Sequence, residues 1–467
     1  LAAGGLRFTQ FYNTGRCCPT RASLLTGLYS HQAGMGHMTD NLGRPGYVGH
    51  LNNQCVTLGG VLSDAGYHAA VVGKWHVGHK DRSMWPLARG FDRFYGIPEG
   101  GGFYFQVKTD RSVVLNDTVI AGGDTKLPEG WYSTDAWIEN GLKFVDEATD
   151  VGKPFFLYIA HNAPHFPLQA RSEDIALFRG KYRAGWDQLS SDRHQRQLRS
   201  GLVRDSWQKT DRPDAIAAWD SLNAEEQDRF DHMMAAYAAC VYSMDRSIGN
   251  LVSGLKSRQL FDNTIILFMS DNGGCAESGP NGRSTGDPTT PDSNWFCGES
   301  WAWMQDTPFR KYKHYNHEGG IATPLIVHWP AGIASPGEDR PQISHVIDIM
   351  PTVVELGQAQ YPTNVNGQSI VAMQGRSLVS AIRGEPDSER PIFWEHEGNA
   401  AVRLGKWKLV REGGRGKWEL FDMETDRTEQ HNLASQHPDR VQTLRKMWKE
   451  WAAMAQVVDG GLPGRNR

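Results

Sequence analysis

No basic excess marks a nucleic-acid or membrane-surface partner. Its 467 residues carry 49 Lys and Arg against 53 Asp and Glu, a net charge of −4 with histidine neutral. Without a basic excess there is no electrostatic footprint for nucleic acid or for an anionic membrane surface. Long apolar runs are missing as well. The longest, such as Thr264–Ser270, fall far short of the ~20 residues a helix needs to cross a bilayer. The N-terminal run Leu-Ala-Ala-Gly-Gly-Leu-Arg-Phe has neither the charged region nor the apolar stretch of a secretion signal. Six cysteines, at 17, 18, 55, 240, 275 and 297, are too few for a disulfide scaffold. They form no CxxC pair and no Cys/His group at zinc spacing. Cys275 and Cys297 flank a loop rich in Gly, Ser, Pro and Asp and could bridge across it. No repeat of roughly 20–50 residues is present, which excludes solenoids and propellers.

What remains is an ordinary globular composition, 39% hydrophobic with 51 glycines, long enough to bury a large core. At roughly 150 residues per domain, the length suits about three units, or one large domain and a smaller one. Short continuous apolar runs, at His68–Val72, Phe155–Ala160, Thr264–Met269 and Pro324–Trp329, suit strands buried on both faces of a sheet. Between them lie helical patterns; Tyr237, Val241, Met244, Ile248, Leu251 and Leu255 follow steps of three and four. This alternation predicts an α/β domain with a large mixed, mostly parallel sheet flanked by helices, over residues 1–385. Residues 171–230, rich in Arg, Asp, Gln and Ser, read as an excursion of loops and exposed helices. From 386 to 467 the pattern becomes β-hairpins closed by a helix at about Asp439–Ala453, which predicts a small antiparallel α+β domain.

Chemistry concentrates at a few points on this frame. In Cys17-Cys18-Pro19-Thr20-Arg21, Pro19 suits the first turn of a helix. Cys17 then sits at a helix N-terminus, where free N–H groups and the dipole favour an anion, and Arg21 lies one turn on. Alone, this run describes a buried helix start with a structural cysteine as well as it describes an activated thiolate. Gly73-Lys74-Trp75-His76 and Ala163-Pro164-His165 each follow a predicted strand, at the carboxyl end where α/β enzymes gather their sites. Ser270-Asp271-Asn272-Gly273 follows a third. Asp271 and Asn272 are hard oxygen donors, suited to Ca2+ or Mg2+ rather than to zinc, although the tripeptide by itself also makes a turn.

Taken together, Cys17-x-Pro19-x-Arg21-x-x-x-Leu25-Thr26-Gly27, Gly73-Lys74-Trp75-His76-x-Gly78, Ala163-Pro164-His165, Asp271-Asn272-Gly273 and Lys313 ahead of Glu318-Gly319-Gly320 resemble the type I sulfatases of the alkaline-phosphatase-like superfamily. The resemblance runs in order along essentially the whole chain. It implies that Cys17 is oxidised by a formylglycine-generating enzyme and that the hydrated aldehyde is the nucleophile. Arg21 would stabilise the hydrate and Lys74 hold it. His76 would take a proton so that sulfate leaves, while His165 and Lys313 bind the sulfate or assist the leaving alcohol. Asp271, Asn272 and position 17 would ligate calcium, magnesium being the lesser choice. His37 is a candidate for the substrate pocket, with His31, Asp40, His79, Trp85, Tyr104, Trp301 and His396 as further candidates. His161 is the lesser alternative to His165.

The implied activity is hydrolysis of aryl or carbohydrate sulfate esters, with no nucleic acid and no membrane span. Two alternatives stand beside it. One is a formylglycine-dependent phosphonate or phosphate monoester hydrolase, the other a catalytically silent homologue that binds sulfated glycans. The family opens with a strand ending in two adjacent Asp. Only sixteen residues precede Cys17 here, none of them Asp or Glu. Leu1–Phe8 therefore reads as the helix after that strand, in a fragment whose first strand, half its carboxylate ligands and export signal are missing. A periplasmic or secreted location is the corresponding expectation.

Overall fold

The computed structural model describes residues 1–108, 110–386 and 388–462. The buried strand His68–Lys74 lies parallel to Arg93–Ile97 on one side and to Phe155–Ala160 on the other. Ser112–Leu115 and Thr118–Gly122 extend this five-stranded sheet antiparallel beyond Arg93–Ile97. At its catalytically interesting end the backbones close up. Gly73 has φ +94°, and a Cβ there would stand 2.2 Å from the Ala160 carbonyl oxygen, so only glycine fits.

A second sheet of four strands carries Ile266–Phe268, Leu325–His328, Leu6–Phe8 and Asp339–Arg340. Leu325–His328 runs antiparallel to both neighbours. The long helices Ser133–Asp150 and Ala224–Ser257 bridge the sheets. Ile138, Val145, Leu251 and Leu255 bury themselves together against Leu157, Ile159 and Ile266. The result is a mixed α/β fold, with a small antiparallel sheet domain at the C-terminus. That sheet, Ile392–His396, Asn399–Leu404, Trp407–Arg411 and Trp418–Asp422, pairs in sequence order. Helix Pro438–Met454 packs on it through Leu444, Trp448 and Trp451.

Three readings of the sequence need correction. Leu1–Phe8 is not a helix: a 3-10 turn at Ala2–Gly4 leads into the strand Leu6–Phe8. Gly4 and Gly5 are poor helix formers, and alternation decides the rest: Leu6 and Phe8 are buried while Arg7 reaches out to Asp339 at 2.7 Å. Cys275 and Cys297 do not bridge; all six cysteines are free thiols. The excursion at 171–230 is helical, as expected, but its aromatic residues turn inward. Trp186, Ile216 and Trp219 join Phe230 and Trp301 in the core, so Trp301 and the equally buried Tyr104 pack rather than line a pocket.

The two sheet systems meet across a buried ion-pair network. Lys408, on the C-terminal sheet and wholly inaccessible, places Nζ 2.8 Å from Glu318 and 2.9 Å from Glu429. Arg427 reaches the other Glu318 oxygen at 2.8 Å, where the Tyr12 hydroxyl donates at 2.9 Å.

His345 gives the fold a pH dependence. It is fully buried between Tyr29 and Trp394, its Nδ1 accepting the Ile347 N–H at 3.3 Å. Burial, and then Arg390, push its pKa down to about 3. The folded-state pKa lies below the unfolded ~6.5, so the unfolded chain takes up the proton first. Stability from this residue is complete above about pH 6.5 and falls as pH drops toward 3, by at most ~1.4 kcal/mol per pH unit. His345→Asn keeps an acceptor for Ile347. It is expected to lower the urea midpoint at neutral pH and to flatten its decline between about pH 6.5 and 4.5. An unchanged slope contradicts the assignment.

Candidate active site

Helix Cys17–Thr26 begins at the first residue of the CxPxR run and ends on Gly27 in the left-handed conformation, φ +69°. Thr20 ties its first turn into place, its hydroxyl donating to the Asp271 carbonyl at 2.7 Å and accepting the Thr14 N–H at 3.1 Å. Cys17 is buried at this N-terminus. The Cys18 thiol donating to it, then Lys74 and His76, hold the Cys17 pKa well below the usual thiol value against the opposing effect of burial. Cys18, by contrast, is pushed up by burial and by its neighbour. One cysteine is electronically prepared and the other is not.

The ends of the two parallel strands supply the next groups. Lys74, buried, closes the strand His68–Lys74, and its carbonyl accepts from Arg21 at 2.9 Å. His76 follows in a left-handed conformation, φ +61°, strain of the kind that gathers at functional sites. Its ring needs Gly100 opposite, where a Cβ would stand 1.9 Å from Nε2. His76 Nε2 lies 3.2 Å from the Cys18 sulfur, and the ligand atoms of Cys17, Cys18 and His76 fall within 4.8 Å of one another. Burial, then Lys74, push the His76 pKa to about 4, so it stands neutral.

His165 is also neutral. Burial first, then Lys74 and Lys313, lower its pKa to about 3. Its Nδ1 lies 2.6 Å from the Phe166 carbonyl, which only accepts; Nδ1 therefore holds the proton and Nε2 the lone pair. The alternative, His161, is half-buried, and both of its ring nitrogens are buried with no hydrogen-bond partner.

Asp271 leaves the strand Ile266–Phe268 and receives Arg21 at 2.8 and 3.1 Å. Burial opposes its charge, but Arg21 and Lys74 keep its pKa below the ordinary carboxylate value. Asn272 donates to the Gly273 carbonyl at 3.0 Å, which leaves the amide oxygen as its ligand atom. Both oxygen donors suit a hard cation in kind, though two side chains supply only part of the ~6–8 oxygens that calcium takes. Behind them, both Asp306 oxygens accept the Gly274 N–H at 2.9 Å; burial pushes that carboxyl up to about 8.

Lys313 joins this loop from the other side, its N–H donating to the Gly274 carbonyl at 3.1 Å. Its Nζ lies 3.8 Å from the Cys275 sulfur and 3.2 Å from Glu277. Burial disfavours charge on Lys313, yet Cys275, Cys17 and Glu277 together hold its pKa above the ordinary value. The fold thus brings Cys17, Arg21, Lys74, His76, His165, Asp271 and Lys313 into mutual electrostatic range, around the helix N-terminus. His37 belongs to a neighbouring group, pairing with Glu397 at 2.9 Å. His31 is elsewhere, buried against Glu395 at 2.7 Å.

Sequence reasoning passed over Glu277, Arg16, His314 and Glu397. Glu277 accepts from Lys313 and from Arg16, both at 3.2 Å, and burial fails to keep it protonated against His314, Lys313 and Arg16. One signal was available in the chain: Glu395-His396-Glu397 places three titratable residues in a row just before a glycine.

The sulfatase family signature matches residues 1–359, and that of the C-terminal region of N-sulphoglucosamine sulphohydrolase matches residues 309–456. An uncharacterized sulfatase of Schizosaccharomyces pombe is 32% identical over 98% of this chain and 89% of its own length. An arylsulfatase of Klebsiella aerogenes is 29% identical over 81% and 84%. Among solved structures, Ps i-CgsB superposes with a TM-score of 0.69 at 25% identity, covering 97% of this chain and 86% of that one.

Proposed function

Since the chain belongs to the sulfatase family and is a sulfuric ester hydrolase, we propose that it cleaves aryl or carbohydrate sulfate monoesters through an oxidised Cys17. The observation that carries this reading is the pairing of charge states. Cys17 stands at a helix N-terminus among Arg21, Lys74 and Lys313, while His76 beside it is neutral with a pKa of about 4. Three cations match an anionic ester, and a neutral imidazole is free to accept a proton.

Converted to formylglycine by a formylglycine-generating enzyme, position 17 would supply a hydrated aldehyde whose hydroxyl attacks sulfur. Arg21 and Lys74 orient that group, and with Lys313 they offset the charge spreading over the sulfate oxygens. Lys313, held cationic, gives its proton to the departing alcohol. His165 carries its lone pair on Nε2 in the free protein, so it acquires a proton only when the anionic ester is bound. His76 accepts the proton whose removal lets sulfate leave. Each such acid or base contributes roughly 10²–10⁴-fold. A calcium ion held by Asp271 and Asn272 would add positive charge at the sulfate. The chain is read as working in the periplasm or outside the cell; among the described residues no helix is long and apolar enough to cross a membrane.

Turnover of aryl sulfate against aryl phosphonate separates this reading from a phosphonate or phosphate monoester hydrolase on the same frame. The protein made with its maturation enzyme is expected to favour the sulfate, and a calcium chelator to suppress its activity. Preference for the phosphonate reverses the assignment. Binding of sulfated glycans without turnover of either substrate leaves a glycan-binding homologue instead.

A further inference from the structure

Beside the catalytic groups, three imidazoles converge on one carboxylate. Glu397 lies 2.9 Å from His37 Nε2, 3.2 Å from His314 Nδ1 and 3.8 Å from His396 Nε2. The ligand atoms of His314, His396 and Glu397 fall within 4.8 Å of one another. Tetrahedral zinc, with bonds of about 2.0–2.1 Å, sets its ligand atoms about 3.3 Å apart, in the middle of the observed separations.

We propose that His314, His396 and Glu397 bind one divalent transition-metal ion of the zinc type, with His37 paired to the Glu397 carboxylate, at a site separate from Asp271 and Asn272. His396 gives the strongest reason. It is completely buried, and neither ring nitrogen has a hydrogen-bond partner. Two unpaired buried nitrogens are costly unless something else occupies them. His37 Nδ1 is likewise buried without a partner, leaving Nε2 as the atom turned toward Glu397.

The surroundings complete the arrangement. Glu277 lies 3.2 Å from His314 Nε2; a proton held there turns the Nδ1 lone pair toward the site, the carboxylate–histidine–metal relation of many metal centres. Imidazole with carboxylate favours zinc over calcium. Glu397 and His314 keep side-chain exposures of 25% and 18%, which gives an ion a way in. Both hold left-handed backbone, φ +50° and +87°, a strain that the local structure sustains. The opposing charge is Arg16: one guanidinium nitrogen lies against both ring nitrogens of His314 and must withdraw before Nδ1 can hold the ion, while the other pairs with Glu277 at 3.2 Å.

Metal binding is read directly. The protein is stripped with a chelator, returned to excess calcium, and titrated with Zn2+ and separately with Co2+. One equivalent of Zn2+ should be retained. Co2+ should give visible d–d bands without thiolate-to-cobalt charge transfer. Glu397→Gln, near the surface and tolerant of folding, and His396→Ala should each lose at least tenfold in affinity. Glu277→Gln should lose about 10–100-fold through His314. A thiolate charge-transfer band would place the ion on Cys17, Cys18 and His76 and overturn the proposal. So would unaltered affinity in Glu397→Gln, or no retained zinc. Because bound metal is measured rather than turnover, the outcome is independent of whether sulfate esters are the substrate.

Discussion

Cys17→Ala is expected to abolish sulfate-ester turnover, with a loss in kcat/KM of at least ~10⁴-fold, the upper end of what removing one general acid or base costs. The fold should survive. Cys17 is a small buried side chain at a helix start whose first turn is anchored by the Thr20 hydroxyl rather than by the Cys17 sulfur. What the substitution removes is the atom on which Arg21, Lys74 and His76 converge. Cys17→Ser sharpens the test. A serine hydroxyl could accept sulfate once, forming an O–S bond as the alcohol departs with a proton. It has no second hydroxyl to deprotonate, and so no route to release sulfate without water attacking. At most one equivalent of alcohol should appear, followed by arrest. Steady turnover by either variant, or a Cys17 peptide of unaltered mass in fully active protein, would sink the role given to this residue.

The elements that carry these groups were legible because each is local. Pro19 and the apolar run after Arg21 define a helix start, and short continuous apolar runs define the strands that end at Lys74, at Ala160 and, three residues before Asp271, at Phe268. Local pattern fails where long-range pairing decides. Leu6–Phe8 becomes a strand because Leu325–His328 lies beside it. The predicted strands divide between two sheets for the same reason, since nothing within an apolar run names its neighbour. Glu277, His314 and Glu397 were missed on similar grounds. They stand at 277, 314 and 397 and meet only after the C-terminal sheet docks on the loop that bears Lys313. The positive φ of His314 and Glu397 belongs to that docking and leaves no trace in residue type.

That docking makes Lys408 the second site of large expected effect. Its ammonium is fully buried, and both Glu318 and Glu429 face it within 3 Å. Burial alone would strip its proton, yet the two carboxylates hold its pKa above the ordinary lysine value. Lys408→Ala leaves Glu318 with Arg427 and takes from the buried Glu429 the cation it pairs with. Breaking a buried pair in this way costs about 3–5 kcal/mol, far more than the 0–1 kcal/mol of a surface pair, and should lower Tm by about 3–5 °C in a chain of this length. Glu318 opens the turn Glu318–Ile321 that follows Lys313, so residual folded protein should also show reduced kcat. Lys408→Met combined with Glu429→Gln removes the cation together with the carboxylate it pairs with and leaves the Glu318–Arg427 pair intact. It should recover much of the lost stability, because replacing a buried ion pair with neutral groups is often close to neutral. A loss below ~1 kcal/mol in Lys408→Ala, measured by denaturant unfolding, would show that water reaches these carboxylates and that apolar packing, not this network, holds the two sheets together.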